Sequence, residues 1–254
     1  MKVISLQSGS NGNSIYVEAG GVRLLFDAGI SGSVARQRLA DQAVDICSVD
    51  ALFISHEHTD HVKCMGVFQR KFGLPIHITK QTLTAARVRY DLGDIDDIQL
   101  FNAGTTVRIG KLAVETIPTA HDAVDGVVFV IDDGRRRLGI LTDLGHVFGG
   151  LDDVVSSLHA VILESNYDPA MLDGGPYPEF LKQRIRGPAG HLSNVEAAEL
   201  LACSGRKLKW ACLAHLSEKN NQPKVAKQTH RELLRERIPI RVANRYEATD
   251  VLEV

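Results

Sequence analysis

Four potential metal ligands lie within six consecutive positions, in the segment SHEHTDH at residues 55–61. The apolar run before it, residues 49–54, is short and β-prone, so it predicts a buried strand. A helix is expected to begin at Thr59, because Thr is a good N-cap and Asp60 suits a first turn. The ligand cluster is therefore predicted to lie on a turn between a strand and a helix.

The spacing within this segment separates the ligands into two sets. His56 and His58 are two residues apart, so an extended backbone points both imidazoles to one side. Asp60 and His61 follow on the turn and can face a second point, which predicts two neighbouring ions. Imidazole and carboxylate ligands suit zinc, manganese or iron better than calcium. The pattern differs from the helical H-E-x-x-H zinc motif, because position 60 is Asp rather than His.

The composition is that of an ordinary globular protein. The chain has 254 residues, 44% hydrophobic and 24% charged, with a formal net charge of -2. This length is enough for a sizeable core, and without a clear linker we expect one domain over residues 1–254. The charge excludes a global basic field, although a local basic patch is compatible with it. No run approaches the ~20 apolar residues of a membrane span.

The cysteines and the first residues bear on the compartment. The four cysteines, Cys47, Cys64, Cys203 and Cys212, form no C-x-x-C pair. We therefore expect reduced, mostly buried thiols in a cytoplasmic protein. The first seven residues contain too short an apolar run for a signal peptide, so none is expected.

Further ligand-type residues follow predicted strands at their carboxyl ends. His121, Asp143, Glu164 and His215 come after the predicted strands 112–117, 137–141, 159–163 and 208–214. In layered α/β folds such ends converge on the ligand crevice. His121 can complete the first metal set, His215 can complete the second, and Asp143 can bridge the two ions. Two ions ~3.5–4 Å apart are a known device for hydrolysis.

The remaining periodic segments predict an alternation of strands and helices. Strands are expected at 3–6, 15–18, 22–26, 75–79, 98–101, 106–109, 127–131, 240–242 and 251–254, and helices at 31–40, 80–90, 178–186, 193–203 and 225–237.

The motif at residues 56–61, together with His121, Asp143 and His215, resembles the metallo-β-lactamase superfamily. The resemblance implies an α/β fold, the αββα four-layer sandwich of two mixed sheets flanked by helices, with a dinuclear site at the sheet edges. It implies the same two ligand sets and the same bridge. Asp143 stands where the best-known β-lactamases have Cys, which disfavours an antibiotic hydrolase. The flavodiiron branch has Glu in place of the second His of the motif, so His58 argues against that branch.

Other segments narrow the resemblance. GHLSN at residues 190–194 and LAHLS at residues 213–217 resemble nucleic-acid-processing members such as ribonuclease Z, in which the equivalent of His191 assists at the scissile phosphate. Segments 8–13, 163–166, 176–178, 181–185 and 190–194 resemble the YycJ/WalJ group, bacterial cytoplasmic members described as 5′-to-3′ DNA exonucleases. Tyr167 departs from that group, where His is expected. The phosphonate-pathway cyclic phosphodiesterases share the core motifs.

These observations predict a phosphodiester hydrolase that uses a hydroxide bridging two divalent metal ions, zinc or manganese, with iron also possible. Asp60 is expected to orient that hydroxide or accept its proton, and His191 to bind the phosphate or protonate the leaving oxygen. Glu164, Ser193 and Asn194 are expected to contact the substrate.

Three functions remain open on the sequence. A nuclease that prefers DNA to RNA is the first, and a small-molecule hydrolase acting on a cyclic phosphodiester or thioester is the second. The third, a binding protein without turnover, predicts missing ligands, and none is missing. A polyanion needs a local basic surface. The candidates for this surface are Lys182, Arg184, Arg186, Arg206, Lys207 and Lys209. The same residues are equally compatible with ordinary solvated charges.

Overall fold

The computed structural model describes residues 1–254, and its strands form two mixed sheets of seven strands each. The first sheet contains β1 (Lys2–Gln7), β2 (Ser14–Ala19), β3 (Val22–Phe26), β4 (Ala51–Phe53), β5 (Ile76–Thr79), β6 (Ile98–Phe101) and β14 (Leu252–Glu253). Their order is β14-β1-β2-β3-β4-β5-β6, and β3 to β6 are parallel.

The second sheet contains β7 (Thr106–Ile109), β8 (Leu112–Pro118), β9 (Val127–Asp132), β10 (Arg137–Leu141), β11 (Ala160–Glu164), β12 (Trp210–Ala214) and β13 (Ile240–Val242). Their order is β13-β12-β11-β10-β9-β8-β7. Strands β10 to β13 are parallel, whereas β9 is antiparallel to both β8 and β10. The carboxyl ends of β8, β10, β11 and β12 therefore point the same way.

Helices cover the outer face of each sheet. They are α1 (Gly32–Ala40), α2 (Thr59–Val62), α3 (Met65–Phe72), α4 (Lys80–Arg89), α5 (Leu151–Ser157), α6 (Pro169–Gly174), α7 (Glu179–Arg186), α8 (Asn194–Ser204) and α9 (Pro223–Leu234). Apolar residues of α1, α3 and α4 pack on the first sheet, and those of α5, α8 and α9 on the second. A third apolar layer of 23 buried residues lies between the sheets. The expected αββα sandwich is confirmed.

Three aromatic rings join the two sheets directly beneath the ligand-bearing loops. Phe26 and Phe53 end β3 and β4, and their ring centroids lie 5.5 Å apart. Phe129 of the second sheet packs against both, at 5.0 and 5.9 Å. Burial of each such side chain stabilises the fold by about 1.5–3 kcal/mol. This contact fixes the two sheet edges relative to each other where the motif begins.

A glycine allows the motif turn to pack against the loop after β3. A Cβ at Gly29 would lie 1.6 Å from the carbonyl oxygen of Asp60, so no other residue fits without moving the turn. The neighbouring backbones are joined by hydrogen bonds from Ala28 N to His61 O and from Asn13 N to Asp60 O, each 2.7 Å long. The position of the metal-ligand turn thus depends on two other loops.

All of the predicted strands and helices are present, some with the predicted bounds and the others with shifted ends, but some details of the sequence analysis were wrong. Thr59 is the first residue of α2 rather than its N-cap, and His58 occupies the cap position without capping through its side chain. The prediction missed α3, α5 and α6. Asp168 followed by Pro169 is a recognisable start for α6, and the Asp168 carboxylate accepts from Met171 N at 2.9 Å.

The prediction of mostly buried thiols was also wrong. Cys47 and Cys203 are exposed, Cys64 is half-buried, and Cys212 is buried. Cys47 lies in a short surface 3-10 helix, Ile46–Ser48, and Cys203 is on the solvent side of α8, so neither position requires burial.

Concerning membranes, none of the helices has both the length and the apolar character needed to cross one.

Candidate metal centre

The first set of ligands brings together three histidines from two loops. Ligand atoms of His56, His58 and His121 all lie within 4.8 Å of one another. The Nε2 atom of His121 is 3.2 Å from Nδ1 of His58. The Nδ1 atom of His121 donates to the carbonyl of Gly190 at 2.8 Å, which directs Nε2 toward the other two rings. These three side chains can hold one ion.

The second set combines the end of the motif with the loop after β12. Asp60, His61 and His215 also offer ligand atoms within 4.8 Å of one another. The Oδ2 atom of Asp60 is 3.4 Å from Nε2 of His61 and 3.2 Å from Nε2 of His215. These three side chains can hold a second ion.

Asp143 lies between the two sets. Its Oδ2 atom is 3.3 Å from Nε2 of His61, and its Oδ1 atom is 3.7 Å from Nε2 of His121 and 3.4 Å from Nδ1 of His215. The carboxylate therefore reaches ligands of both sets, which is the position required of a bridge.

Two orphaned polar atoms support a metal at this place. Nε2 of His56 and Oδ2 of Asp143 are buried and have no hydrogen-bond partner. Buried polar atoms are rarely unpaired in folded proteins. The donor set of imidazole nitrogens and carboxylate oxygens matches the preferences of zinc, manganese and iron. The residues present therefore fit divalent ions of this class.

Residues outside the motif orient its histidines, and the sequence analysis missed them. The Asp27 carboxylate accepts from Nδ1 of His61 at 2.7 Å, and it also accepts from Ser55 N and Oγ at 2.8 and 3.0 Å. The Ser55 hydroxyl is 2.9 Å from Nδ1 of His56. Asn13 Nδ2 donates to Asp60 Oδ2 at 3.1 Å. Such contacts fix the tautomer and ring orientation of metal-binding histidines.

Left-handed backbone conformations place three of these side chains. Asp27, Asp143 and His215 have φ values of 63°, 58° and 54°, each directly or almost directly after a strand. A non-glycine residue in such a region costs about 1–3 kcal/mol and persists where the surroundings determine it. Each strand thus turns sharply at its carboxyl end and directs a polar side chain into the site.

Burial and opposite charges shift the pKa values of the second set. Burial opposes the charged form of His61, but the carboxylates of Asp27 and Asp60 outweigh it and raise the pKa of His61 well above its usual value. Burial likewise opposes the charge on His215, yet its acidic neighbours, Asp143 first, raise its pKa to about 10. Protons on His61 and His215 compensate the negative charge of these carboxylates in the metal-free protein. Bound cations would take the place of those protons.

The first set has the opposite character. Burial lowers the pKa of His56 well below its usual value, and the nearby imidazoles of His61 and His58 lower it further. Burial also lowers the pKa of His58, with His121 as the next cause. Both rings are therefore neutral at pH 7, which is the form that binds metal.

His191 lies beside the two sets and is held by a buried acid. The Nδ1 atom of His191 donates to Oε1 of Glu164 at 2.6 Å. The other carboxylate oxygen of Glu164 accepts from Leu144 N and Leu192 N at 3.0 and 3.2 Å. Burial opposes the charge of Glu164, but His191 and His215 together outweigh it and hold the pKa of Glu164 below its usual range. Glu164 thus orients His191.

The two other expected substrate contacts lie behind the site. Ser193 is 3% exposed and forms a capping box with Glu196 at the start of α8. Asn194 is fully buried, accepts from Ser165 Oγ at 2.6 Å and donates to Asn221. Both face protein partners rather than the open cavity, as does Glu164.

The open cavity above the ligands has a volume of about 260 Å³ and a polar lining. The sequence analysis missed three lining residues, Ser10, Thr59 and Tyr90, whereas Arg184, which also lines the cavity, was a candidate for the basic surface. The Tyr90 and Thr59 hydroxyls are 2.6 Å apart. Arg184 is paired with Asp122, which follows His121, through contacts of 2.6 and 2.7 Å. These residues form the mouth of the site.

Tyr167 has no place among the metal ligands. It is 6% exposed and packs with Leu172 and Ile185 in a small apolar cluster. Its backbone pairs with that of Ser193 in an isolated β-bridge. Where the resemblance led us to expect a histidine, this chain therefore has a packing residue.

Comparisons with known proteins agree with this geometry. The family model of the metallo-β-lactamase superfamily matches residues 8–156. The exodeoxyribonuclease YycJ of Bacillus anthracis is 34% identical over 235 residues, which cover 91% of this chain and 88% of that protein. The exodeoxyribonuclease WalJ of Streptococcus pneumoniae is 35% identical over 227 residues, covering 88% and 84%. The chain belongs to the metallo-β-lactamase superfamily and is a metal-dependent hydrolase.

The resemblance to the YycJ/WalJ group is likewise confirmed by these two relatives. A solved structure extends the comparison to the fold. The metallo-β-lactamase fold protein YhfI of Bacillus subtilis superimposes with a TM-score of 0.75 at 17% identity, covering 98% of each chain.

The Asp27→Asn substitution tests the contact that orients His61. The amide cannot accept from Nδ1 and Ser55 as the carboxylate does, whereas Asn tolerates the left-handed backbone. We expect the affinity for one of two zinc ions to fall by about 10–100-fold. Competition with a chromophoric chelator measures both dissociation constants. Asp96→Asn, at an exposed position, is the matched control, and equal affinities in both variants would contradict the role of Asp27.

Proposed function

We propose that this chain is a dinuclear-metal phosphodiesterase that removes nucleotides from the 5′ end of DNA in the cytoplasm. The observation that carries the proposal is the position of Asp143 between two three-residue ligand sets, with His191 beside them. The exodeoxyribonuclease names of relatives at 34% and 35% identity support DNA over RNA as the substrate. Because the ligands extend from His56 to His215, the proposal takes residues 1–254 as one hydrolase domain.

The metal-binding roles follow from the two sets. His56, His58 and His121 would hold one divalent ion. Asp60, His61 and His215 would hold the other, and Asp143 would contact both. Two bound zinc, manganese or iron ions would supply an activated water at neutral pH and positive charge for the phosphate oxygens.

Asp60 would orient the attacking water. Its Oδ2 atom accepts from Asn13 and lies beside His215, so the position of the carboxylate is fixed. Asp60 also lines the cavity, where its second oxygen can accept a proton. The carboxylate would thus act as both an orienting group and a base.

His191 would act on the phosphate and the leaving oxygen. With Nδ1 committed to Glu164, its Nε2 atom has no protein partner and is free for the cavity that the residue lines. A positioned imidazole can donate a hydrogen bond to a phosphate oxygen or protonate a leaving alkoxide. Glu164, Ser193 and Asn194, expected to touch substrate, are better assigned as positioning residues for His191 and α8.

The shape of the cavity favours a polymer end over an enclosed small molecule. Its volume of about 260 Å³ and single hydrophobic lining residue contrast with the mostly apolar pockets of about 300–1,000 Å³ that enclose small ligands. Hydrolysis of a cyclic phosphodiester or thioester is therefore the second candidate.

Cleavage of 5′-phosphorylated duplex DNA by the manganese-loaded protein tests the proposal. RNA and a cyclic phosphodiester are assayed in parallel, and Asp60→Ala is the control. We expect nucleotides to be lost stepwise from the 5′ end of DNA, and no loss with the variant. Turnover of the cyclic ester without action on either polymer would replace the nuclease with the small-molecule hydrolase.

The His191→Gln substitution tests the proposed acid. Loss of general acid catalysis should lower kcat by about 10²–10⁴-fold. The metal content should stay at the wild-type value, because His191 belongs to neither ligand set. His159→Gln, before the amino end of β11, is the matched control. A variant that loses metal together with activity would indicate a ligand, and unchanged kcat would exclude the acid role.

A further inference from the structure

Two open cavities lie along one side of the molecule, beside the loop after β12 that carries the ligand His215. The nearer has a volume of about 410 Å³ and the farther about 780 Å³. They share three lining residues, Pro223, Val242 and Asn244, so they form one continuous depression. We call this depression the β13 groove, because Val242 of β13 lies at its centre.

Only a thin wall separates the β13 groove from the catalytic cavity. Ser8 lines the groove, and its Oγ accepts from the backbone N of the ligand His215 at 2.8 Å. Arg245 also lines the groove and donates to Ser10 Oγ at 3.4 Å and to the Leu216 carbonyl at 2.5 Å. Ser10 in turn lines the catalytic cavity. The β13 groove therefore begins directly on the other side of residues that border the catalytic cavity.

The far part of the groove has an excess of positive charge. Lys224, Lys227 and Arg241 line it, and Asp250 is the only acidic residue there. None of the three cationic side chains makes an ion pair or a hydrogen bond with the protein. Unpaired cations along a groove are what a polyanion requires for binding.

The basic residues expected from the sequence do not compete with this groove. Arg206, Lys207 and Lys209 precede β12, at the end opposite to His215, and they line neither part of the β13 groove. Near the mouth of the site, Arg184 is paired with Asp122.

The two other candidates on α7 are also engaged. Lys182 donates to the carbonyl of Asp173 at 2.7 Å, and Arg186 is paired with the carboxylate of Asp173.

We infer that the β13 groove binds the backbone of the polynucleotide whose terminal phosphodiester occupies the metal site. This inference rests on the proposed nuclease function and adds the path of the substrate. Lys224, Lys227 and Arg241 neutralise phosphates several nucleotides away from the scissile bond. They contribute to the binding of long substrates, and a short phosphodiester does not reach them.

The test is a triple variant, Lys224→Gln with Lys227→Gln and Arg241→Gln, assayed as the manganese-loaded full chain. Substrates are a 5′-phosphorylated 30-nucleotide duplex and bis(p-nitrophenyl) phosphate. We expect the ratio of kcat/KM for the duplex to that for the small ester to fall about tenfold or more, and the salt dependence of log kcat/KM to weaken by about 2–3 units. Turnover of the small ester reports that the variant is folded.

The matched control removes three positive charges at the opposite end of β12, through Arg206→Gln, Lys207→Gln and Lys209→Gln. An equal fall in both triple variants would mean that net charge alone acts, and it would overturn the groove. An unchanged ratio in the groove variant, with wild-type cleavage of DNA intact, would also overturn it and leave the nuclease standing. If the wild-type protein cleaves only the small ester, both the groove and the proposed function fail.

Discussion

Charge compensation among buried acids and histidines is the interaction on which the rest of this structure depends. Asp143 and Glu164 are 3% and 0% exposed, and they lie among imidazoles rather than in water. Removing a carboxylate from water costs several kcal/mol unless a partner compensates it. Protonated His61 and His215 provide that compensation for Asp143 in the metal-free protein, and divalent ions would provide it in the loaded enzyme. For Glu164, the contact with His191 comes first. The strand ends that meet here are held together by this requirement as well as by apolar packing.

The scaffold makes such a cluster possible by fixing the sheet edges first. The Phe26, Phe53 and Phe129 rings pack together between the sheets. Phe26 directly precedes Asp27 in the sequence, and Phe53 is three residues before His56. Rigid apolar contacts beneath the loops hold the ligand atoms at short separations, even though the ligands repel or attract one another strongly. Precise placement of this kind is what a hydrolytic site needs, because misplacement by about 1 Å can cost 10²-fold in rate.

Local patterns in the sequence predicted most of the fold and the metal-ligand candidates, because short apolar runs and the 56–61 spacing are local signals. What they could not predict depends on distant contacts. The sequence around Asp27 indicates only the end of a strand before Gly29. The contact of Asp27 with His61, 34 positions away, is created by the fold. Ser193 and Asn194 lie in a motif that resembles segments of nucleic-acid-processing enzymes, but the Ser193 side chain caps α8 and the Asn194 side chain bonds to Ser165 and Asn221. The β13 groove combines residues from α9, β13 and the following loop, which no local pattern joins.

Anomalous diffraction from a crystal of the manganese-loaded protein tests the central claim most directly. The account predicts two peaks ~3.5–4 Å apart, one beside His56, His58 and His121, and the other beside His215. It also predicts Asp143 oxygens within coordination distance of both peaks. A single peak, or two peaks of which only one contacts Asp143, would contradict the shared dinuclear centre on which the proposed mechanism rests.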